Sequence, residues 1–588
     1  MTAIPIPNET LNSDTSTGTV PDYDVIIIGA GFSGIANLHR LREDGLKCHV
    51  FEAGSDFGGV WYWNRYPGAR VDSETPFYQL SIPSVYTTFN FSSRFADHKE
   101  MRQYMAHVDK TLNLRKDVDF NSRVNSCTWD EGSGMWTVRT ENGKSGRGRW
   151  LVLASGLLHR THTPTFPGIE RYKGVVHHSG AWPEDLSVKG KKVAIIGAGA
   201  TSVQIVQELG KEAEQLTMLM RRPSYCLPMG QRQFTKEEQD AWRGYYPMMF
   251  EAGRNSAVGF PTKRMGKSVQ EVEEEEREKH WEETWKQGGF HFMLQNYNNV
   301  LLDPEANELV YNFWKKYDPP VVQKVHARMT DPRKAELMAP STAPYYFGTK
   351  RSPLEMDYYE ILDQPNVDIV DLTASPMSTF TESGIQMKGE DSPREFDYVV
   401  LATGFDSFTG SLTSMGLKNK DGVDIKEVWG DGVKTYLGMM MHGFPNAFMV
   451  YSPQAPTALS NGPTILEAQT TFICDTIVAL RNQGLKSLEP TVAAEEEWKT
   501  AMNAMNEYTL YKYTDSWWNG SNIPGKKREN MTFIGGIDNY EMQCRSKMAG
   551  WIGFDVVPAS GAAKVKMEEG SSAKEGRAEV HHIESIVA

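Results

Sequence analysis

The chain is short of cysteine, of basic charge and of long apolar runs, and each shortage removes a class of function. Its five cysteines (Cys48, Cys127, Cys226, Cys474, Cys544) are scattered through 588 residues with no C-x-x-C or comparable spacing. That argues against a zinc site, a disulfide framework or a dithiol relay, and points to a reducing, cytoplasmic setting. Lys and Arg number 62 against 75 Asp and Glu, a formal charge of -13, so no surface for nucleic acid or an anionic membrane is expected. No apolar run approaches the roughly 18 residues that suggest a membrane span. The first twenty residues contain neither Lys nor Arg, so no signal or transit peptide is readable, and the ending HHIESIVA is not a peroxisomal tripeptide. No protein partner is evident. His581 and His582 stand in a tail rich in Ala, Gly, Ser, Glu and Lys, and no metal site is expected there or elsewhere.

What remains is an ordinary globular composition, 40% hydrophobic and 23% charged, in a chain too long for one compact core. Residues 23–34 read YDVIIIGAGFSG. A four-residue apolar strand runs into a turn with Gly29, Gly31 and Gly34, and a helix follows. Such glycines allow a tight turn and let backbone approach a pyrophosphate at the helix N-terminus. The next strand, CHVFE, ends on Glu52, 23 residues after Gly29, where a carboxylate accepts from a ribose diol but repels a 2′-phosphate.

The pattern recurs at KKVAIIGAGATS, with Gly197, Ala198, Gly199, Ala200, Thr201 and, in place of the third glycine, Ser202. Here the following strand ends on Arg221 and Arg222, with Arg221 24 residues after Gly197. An acid at the first position and bases at the second assign an FAD-type loop near the N-terminus and an NADPH-type loop mid-chain. FDYVVLATGFD (396–406) reads as a buried strand running into Ala402-Thr403-Gly404, suited to bringing the chain back beside the flavin. LVLASGLL (151–158) is a similar return strand.

Between the loops lies YKGVVHHSGAWP (172–183), neither strand-like nor helix-like. It carries Tyr172, Gly174, His178, Trp182 and Pro183 in the spacing F-x-G-x-x-x-H-x-x-x-W-P, with Tyr for the leading Phe. GGVWYWNRYPGARVD (58–72) fits a second long pattern, [AG]-G-x-W-x-x-x-x-[FY]-P-[GM]-x-x-x-D, in full. With FGTKR (347–351), LSNGP (459–463) and SWWNGSNIPGK (516–526), the chain resembles the type I Baeyer–Villiger monooxygenases from about residue 22 to 555. Related N- and S-oxidising flavin monooxygenases lack the Trp-Pro ending.

That resemblance implies an FAD- and NADPH-dependent enzyme that uses dioxygen to turn a small-molecule ketone into an ester or lactone through a flavin C4a-peroxide, with NADP+ retained. It implies that Arg351 favours the peroxide anion and the tetrahedral adduct, and that Asp72 pairs with Arg351 and orients it. Lys350 would join Arg221 and Arg222 on the 2′-phosphate, and Trp517 would ride a mobile loop over bound NADP. The family's FAD contacts carry over to Gly29, Gly31, Ser33, Gly34, Glu52, Val60, Trp61, Tyr66, Asp72 and Tyr78, and its NADP contacts to the second loop, Gln204 included. Thr457, Ala458, Leu459 and Gly462 would line the ketone pocket, and Gly462 stands where some members carry Met. His178 would fix the linker between the two domains. Three other readings compete: a sulfur- or nitrogen-oxidising flavin monooxygenase; a disulfide reductase, for which a redox cysteine pair is lacking; and a non-catalytic nucleotide sensor, which would not need Asp72, Lys350, Arg351 and Trp517 together.

The expected fold class is α/β, with two Rossmann-like dinucleotide-binding domains and a helical subdomain inserted in the second. The FAD domain spans 22–160 and 391–558, the NADP domain 161–232 and 335–390, and the helical part 233–334. A Ser268/Glu271 capping box should start a helix that ends at Gly288-Gly289, with Trp281 and Trp285 on its buried face. Residues 1–21 and 559–588 are expected to be disordered tails.

Overall fold

The computed structural model describes residues 20–315 and 325–559. Almost all of both tails, with His581 and His582, lies outside those residues, as does 316–324 of the helical segment. No helix among the described residues is long and apolar enough to cross a membrane.

Two sheets organise the chain, the first mixed and the second parallel throughout. In the first, Asp22–Ile28 is the central strand. Cys48–Phe51 and then Val118–Asp119 lie on one side, and Ser145–Leu153 on the other. The N-terminal half of Ser145–Leu153 pairs antiparallel with Met135–Thr140, which pairs with Val124–Asp130. Its C-terminal half pairs parallel with Ala447–Met449. Val25, Ile26 and Ile27 are fully buried, as expected of a strand covered on both faces. The Phe32–Glu43 helix covers one face and packs against the 21-residue helix Gly462–Asn482. Asn37 ties them together, donating through Nδ2 to Ser33 O and to Thr470 Oγ1 (both 2.9 Å).

The second sheet is wholly parallel and runs in the order Val367–Asp371, Gln215–Met220, Lys192–Ile196, Tyr398–Leu401, Val175–His178. Two sequence expectations change here. The ATG strand does not return beside the first glycine loop; it lies between Lys192–Ile196 and Val175–His178, so Tyr398–Leu401 belongs to the second sheet. The histidine segment is not an unstructured connector either, because Val175–His178 forms that sheet's edge strand.

The edge strand is stapled at both ends. Tyr172 OH donates to Phe396 O (2.7 Å), just before the neighbouring strand begins. At the far end His178 Nδ1 accepts from Gly180 N (3.0 Å), so Nε2 carries the proton and donates to Gly404 O (3.0 Å). Burial pushes His178 down to about 4, which keeps this tautomer neutral at physiological pH. Gly174 is required between the staples: a Cβ there would stand 2.3 Å from Tyr172 OH and 2.7 Å from Asp397 O. His177, on the other side of the strand, stands edge-on to Trp182 with ring centroids 4.6 Å apart.

The segment after the second sheet's first half is helical, with Lys236–Arg243, Tyr246–Arg254, Glu274–Gln287, His291–Leu294 and Pro304–Lys315. The Ser268/Glu271 capping box forms, but it closes the single turn Val269–Glu271. The long helix starts separately at Glu274, with three glutamates in its first turn, where the helix dipole favours acids. It stops at Gly288 as expected. Trp281 and Trp285 are buried (2% and 8% exposed), with ring centroids 5.2 and 6.4 Å from Phe313 of the Pro304–Lys315 helix.

The Tyr172 staple is testable because Phe keeps the ring and removes only the hydroxyl. Tyr172→Phe should lower stability by about 1 kcal/mol, the usual net value of one intramolecular hydrogen bond. Thermal melting of the two proteins checks this, and an unchanged midpoint would show that the hydroxyl adds nothing.

Candidate active site

Both glycine loops are bare helix starts. Phe32–Glu43 begins after Gly31, and Ala200–Leu209 after Gly199. Neither helix has a side-chain cap or an acid in its first turn, so the leading N–H groups stay free for an anion. The reason for glycine differs by position. A Cβ on Gly34 would lie 1.9 Å from Gly29 O, so the third glycine lets the helix lie on the turn. Ser202 takes that place in the second loop and is fully buried. A Cβ on Gly29 would lie 2.5 Å from Ala154 O, and one on Gly197 2.4 Å from Ala402 O. Each loop is therefore pressed against its own return strand. At Gly199 a Cβ would meet nothing within 4 Å, leaving the ligand side open.

Glu52 directly follows the Cys48–Phe51 strand, 5% exposed, and accepts from Ala30 N and Gly54 N, both at 2.6 Å. Burial raises its pKa, while those backbone N–H groups pull the other way. Each carboxylate oxygen keeps a second lone pair, which leaves capacity for a ribose hydroxyl. At the matched place in the second sheet Arg221 and Arg222 are exposed, and Lys350 lies close enough to feel both. Burial, with Arg222 and Arg221 adding to it against Asp515, pushes Lys350 down to about 8. Its Nζ sits 4.4 Å from the centre of the Tyr345 ring. Three mutually repelling cations at the strand end form a site that a phosphate dianion would stabilise.

The signature segment 58–72 runs from the first loop towards the second. Tyr66 OH donates to Gln204 Oε1 (2.8 Å), and Gln204 Nε2 to Arg70 O (3.1 Å). Gly68, at φ +80°, lets the Gln204 carbonyl come within 2.5 Å of where a Cβ would stand. Val60 and Trp61 open the short Val60–Trp63 helix, and Trp61 Nε1 donates to Tyr78 OH (3.3 Å). The segment ends on Asp72, which holds Arg351 by two parallel bonds: Nε to Oδ2 at 2.6 Å and Nη2 to Oδ1 at 2.8 Å. Arg351 Nη1 donates to Ala458 O (3.1 Å). Burial alone would lower the guanidinium's pKa, but the Asp72 carboxylate outweighs it and the group is held firmly protonated. Its side chain remains 26% exposed, and two of its five N–H groups are left for a ligand.

Thr457, Ala458 and Leu459 follow as the loop over this pair. Gly462 opens the long helix at its Asn461 cap, ahead of Pro463. Two residues missed in the sequence complete the surroundings. Phe290, just past the end of the Glu274–Gln287 helix, lies against the Arg351 guanidinium (4.9 Å). Tyr451 has its hydroxyl 3.6 Å from where a Gly462 Cβ would stand, with Tyr78 Cε2 at 3.9 Å. A side chain as long as Met at 462 would run into these two rings, so Tyr451 and Gly462 share one volume. No spacing rule marks either residue; both arrive by tertiary packing.

Trp517 is not on a free loop here. Ser516 caps a 3-10 turn, Trp517–Asn519, and Trp517 stacks on Phe408 (centroids 5.6 Å). Asn522 Nδ2 donates to Phe405 O (2.9 Å), and Lys526 pairs with Asp406 (2.8 Å). The loop is thus docked on the segment leaving the second sheet. All five cysteines are unpaired and buried, which leaves the disulfide-reductase reading without a reactive thiol pair.

The family described as flavin-binding monooxygenase-like matches residues 22–235. A cyclopentanone 1,2-monooxygenase from Comamonas sp. is 40% identical over 91% of this chain and 96% of its own. A Baeyer–Villiger monooxygenase from Pseudooceanicola batsensis is 35% identical over 88% of this chain and 93% of its own. Among solved structures, cyclohexanone monooxygenase from Rhodococcus sp. Phi1 bound to NADP+ superposes with a TM-score of 0.87 at 32% identity, covering 92% of this chain and all of the other.

The cationic cluster predicts a pH signature. Lys350 should lose its proton as pH rises through about 8, so affinity for NADPH falls across that range. Affinity for NADH, which lacks the 2′-phosphate, stays level. Lys350→Met should weaken NADPH binding about 10-fold at neutral pH, the scale of one charged hydrogen bond, and flatten its pH dependence. Titration calorimetry with both nucleotides checks each part.

Proposed function

The chain belongs to the Baeyer–Villiger monooxygenases, and from that premise we propose that its ketone reacts at the Asp72–Arg351 pair, beneath the Ala458 carbonyl. It is an NADPH-dependent flavin monooxygenase that inserts one atom of dioxygen next to a ketone carbonyl, giving an ester or lactone while the other atom leaves as water. Bound FAD supplies the passage of electrons from NADPH to dioxygen. The observation that carries the site assignment is the two-bond grip of Asp72 on Arg351 between two nucleotide loops.

The residues fit both cofactors. The bare N–H groups after Gly31, with Ser33, Gly34 and Glu52, would hold FAD, and Trp61, Tyr66, Asp72 and Tyr78 continue its side of the cleft. The N–H groups after Gly199, with Thr201 and Gln204, would hold the NADP pyrophosphate, and Arg221, Arg222 and Lys350 its 2′-phosphate. Trp517, docked on Phe408, would exclude water from that side.

Arg351 does two things in this reading. Asp72 occupies Nε and one N–H of Nη2, and Ala458 O takes one N–H of Nη1, which leaves two donors in a fixed plane. Those donors would hold negative charge as it gathers on the ketone oxygen, and a preorganised donor of this kind is typically worth about 3 kcal/mol. A guanidinium also cannot give its proton to that oxygen. Asp72 acts by fixing the plane of the fork.

A small-molecule ketone is the substrate class. The sulfur- or nitrogen-oxidising alternative has no site feature of its own in its favour. A reducing, cytoplasmic setting is supported by the five unpaired thiols.

Arg351→Ala should still bind FAD and be reduced by NADPH, yet form no ester or lactone. Stopped-flow reduction and gas chromatography with mass spectrometry of the products, on a panel of linear, cyclic and aryl ketones plus one sulfide, test this. Ester from the variant would remove Arg351 from the reaction. Sulfoxide without any ester from the unaltered protein would favour the heteroatom reading.

A further inference from the structure

Among the described residues the ammonium of Lys350 has no hydrogen-bond or ion-pair partner. The acid that bears on it, Asp515, is engaged by Arg528 (Nε to Oδ1, 3.1 Å). Burial, Arg222 and Arg221 all disfavour its charge, and a four-carbon stem lets a lysine swing away from such neighbours. What meets the ammonium instead is the ring of Tyr345, with Nζ 4.4 Å from the ring centre. A cation over the face of a tyrosine is attracted by the ring's negative face, and more so where water is partly excluded.

That ring is itself held in place. Its hydroxyl donates to Pro223 O (3.1 Å) and accepts from Tyr225 N (3.3 Å), so it is fastened to the backbone that directly follows Arg221 and Arg222. Tyr225 OH returns a bond to Tyr345 O (2.8 Å). Tyr225 also stacks on Tyr345, with centroids 4.2 Å apart and 24° between the planes. Tyr225 in turn stacks on Phe347 (5.4 Å, 11°). One pinned side chain thus links the strand end that carries two of the cations to the segment that carries the third.

We propose that Tyr345 is the positioning residue of this cluster: its ring stations the Lys350 ammonium beside Arg221 and Arg222, where a 2′-phosphate meets all three cations. Tyr345 then contributes to the preference for NADPH over NADH by acting through Lys350. Its role rests on the assignment of the three cations to that phosphate.

Titration calorimetry of the FAD-loaded protein with NADP+ and NAD+, the unreactive oxidised forms, tests this. Tyr345→Leu keeps an apolar side chain and loses the ring face; Tyr345→Phe keeps the ring and loses only the hydroxyl. NADP+ should bind about fivefold more weakly to Tyr345→Leu, the scale of a cation over an aromatic ring, with NAD+ unchanged. Tyr345→Phe should recover most of that loss. In a Lys350→Met background the Tyr345→Leu change should cost nothing further, because the group it holds is gone. Equal losses for both nucleotides, or an undiminished loss in the Lys350→Met background, would overturn the proposal. If Tyr345→Leu does not load FAD, phenylalanines carrying increasing numbers of fluorines at 345 decide the matter. They keep the shape and weaken the ring's negative face, so NADP+ affinity should fall along the series while NAD+ affinity stays level; a flat series overturns the role of the ring. Unaltered protein that bound both nucleotides alike would remove the phosphate site, and Tyr345 with it. A preference that Lys350→Met abolishes and Tyr345→Leu leaves intact would remove Tyr345 alone.

Discussion

A guanidinium cannot shed its charge, and Arg351 holds one in a cleft where only a quarter of its side chain meets solvent. An uncompensated buried charge costs several kcal/mol, so the chain must bring a carboxylate to it in the right plane. That carboxylate, Asp72, comes from 279 positions earlier. Meeting this condition fixes much else. The signature segment has to cross from the first nucleotide loop to the second, with Gly68 packed backbone against backbone on Gln204 on the way. The substrate loop has to present Ala458 O to the same guanidinium. Two glycine loops and the Thr457–Leu459 loop are thereby registered against one cation.

The local construction of the two nucleotide loops was legible because the chemistry at matched positions is opposite: Glu52 follows one loop, and Arg221 and Arg222 the other. The return strands were not separable in the same way. Both LVLAS and YVVLAT are buried strands ending in a small residue, and each supplies the alanine carbonyl that presses on a first glycine, Ala154 on Gly29 and Ala402 on Gly197. Either sequence would serve either loop. Which loop each serves is settled by pairing with strands far away in sequence, and no local pattern carries that information.

The histidine segment escaped for a related reason. Val175–His178 is four residues long at the edge of its sheet, with Val175 exposed and only His178 buried, so it shows neither clean alternation nor a continuous apolar run. Its role is visible only with Phe396 and Gly404 in place. The motif's Phe-or-Tyr, Gly and His then read as one device: a ring that reaches the start of the next strand, the space it needs, and an imidazole that ties off the strand's end. Since Gly404 leads into Phe405–Phe408, on which the Trp517 loop is docked, His178 is connected to the loop by a short run of backbone without touching the reacting pair. The capping box was misread on scale alone, since Ser268 and Glu271 satisfy the same donors in a single turn as they would at the start of a long helix.

The residues proposed for chemistry and those beside them that would shape the substrate space are held in place by different means. Asp72, Lys350 and Arg351 sit in segments whose spacing is constrained from two sides, by glycines that cannot accept a Cβ and by the charges they must satisfy. Gly462 and Tyr451 are held differently. Gly462 lies at the start of a helix that Asn461 and Pro463 already define, and an added Cβ there meets only ordinary contacts. Tyr451 is anchored through its backbone, which donates to Gln469 Oε1 (2.7 Å); Gln469 in turn donates to Tyr540 OH, and Tyr540 to Leu437 O. Its ring can therefore be exchanged without loosening that chain of hydrogen bonds. Volume traded between 451 and 462 reshapes the space above Arg351 and leaves the grip of Asp72 unchanged. On the proposed assignment of the Arg351 site, a fold arranged in this way can alter which ketone it accepts without rebuilding the site that oxidises it.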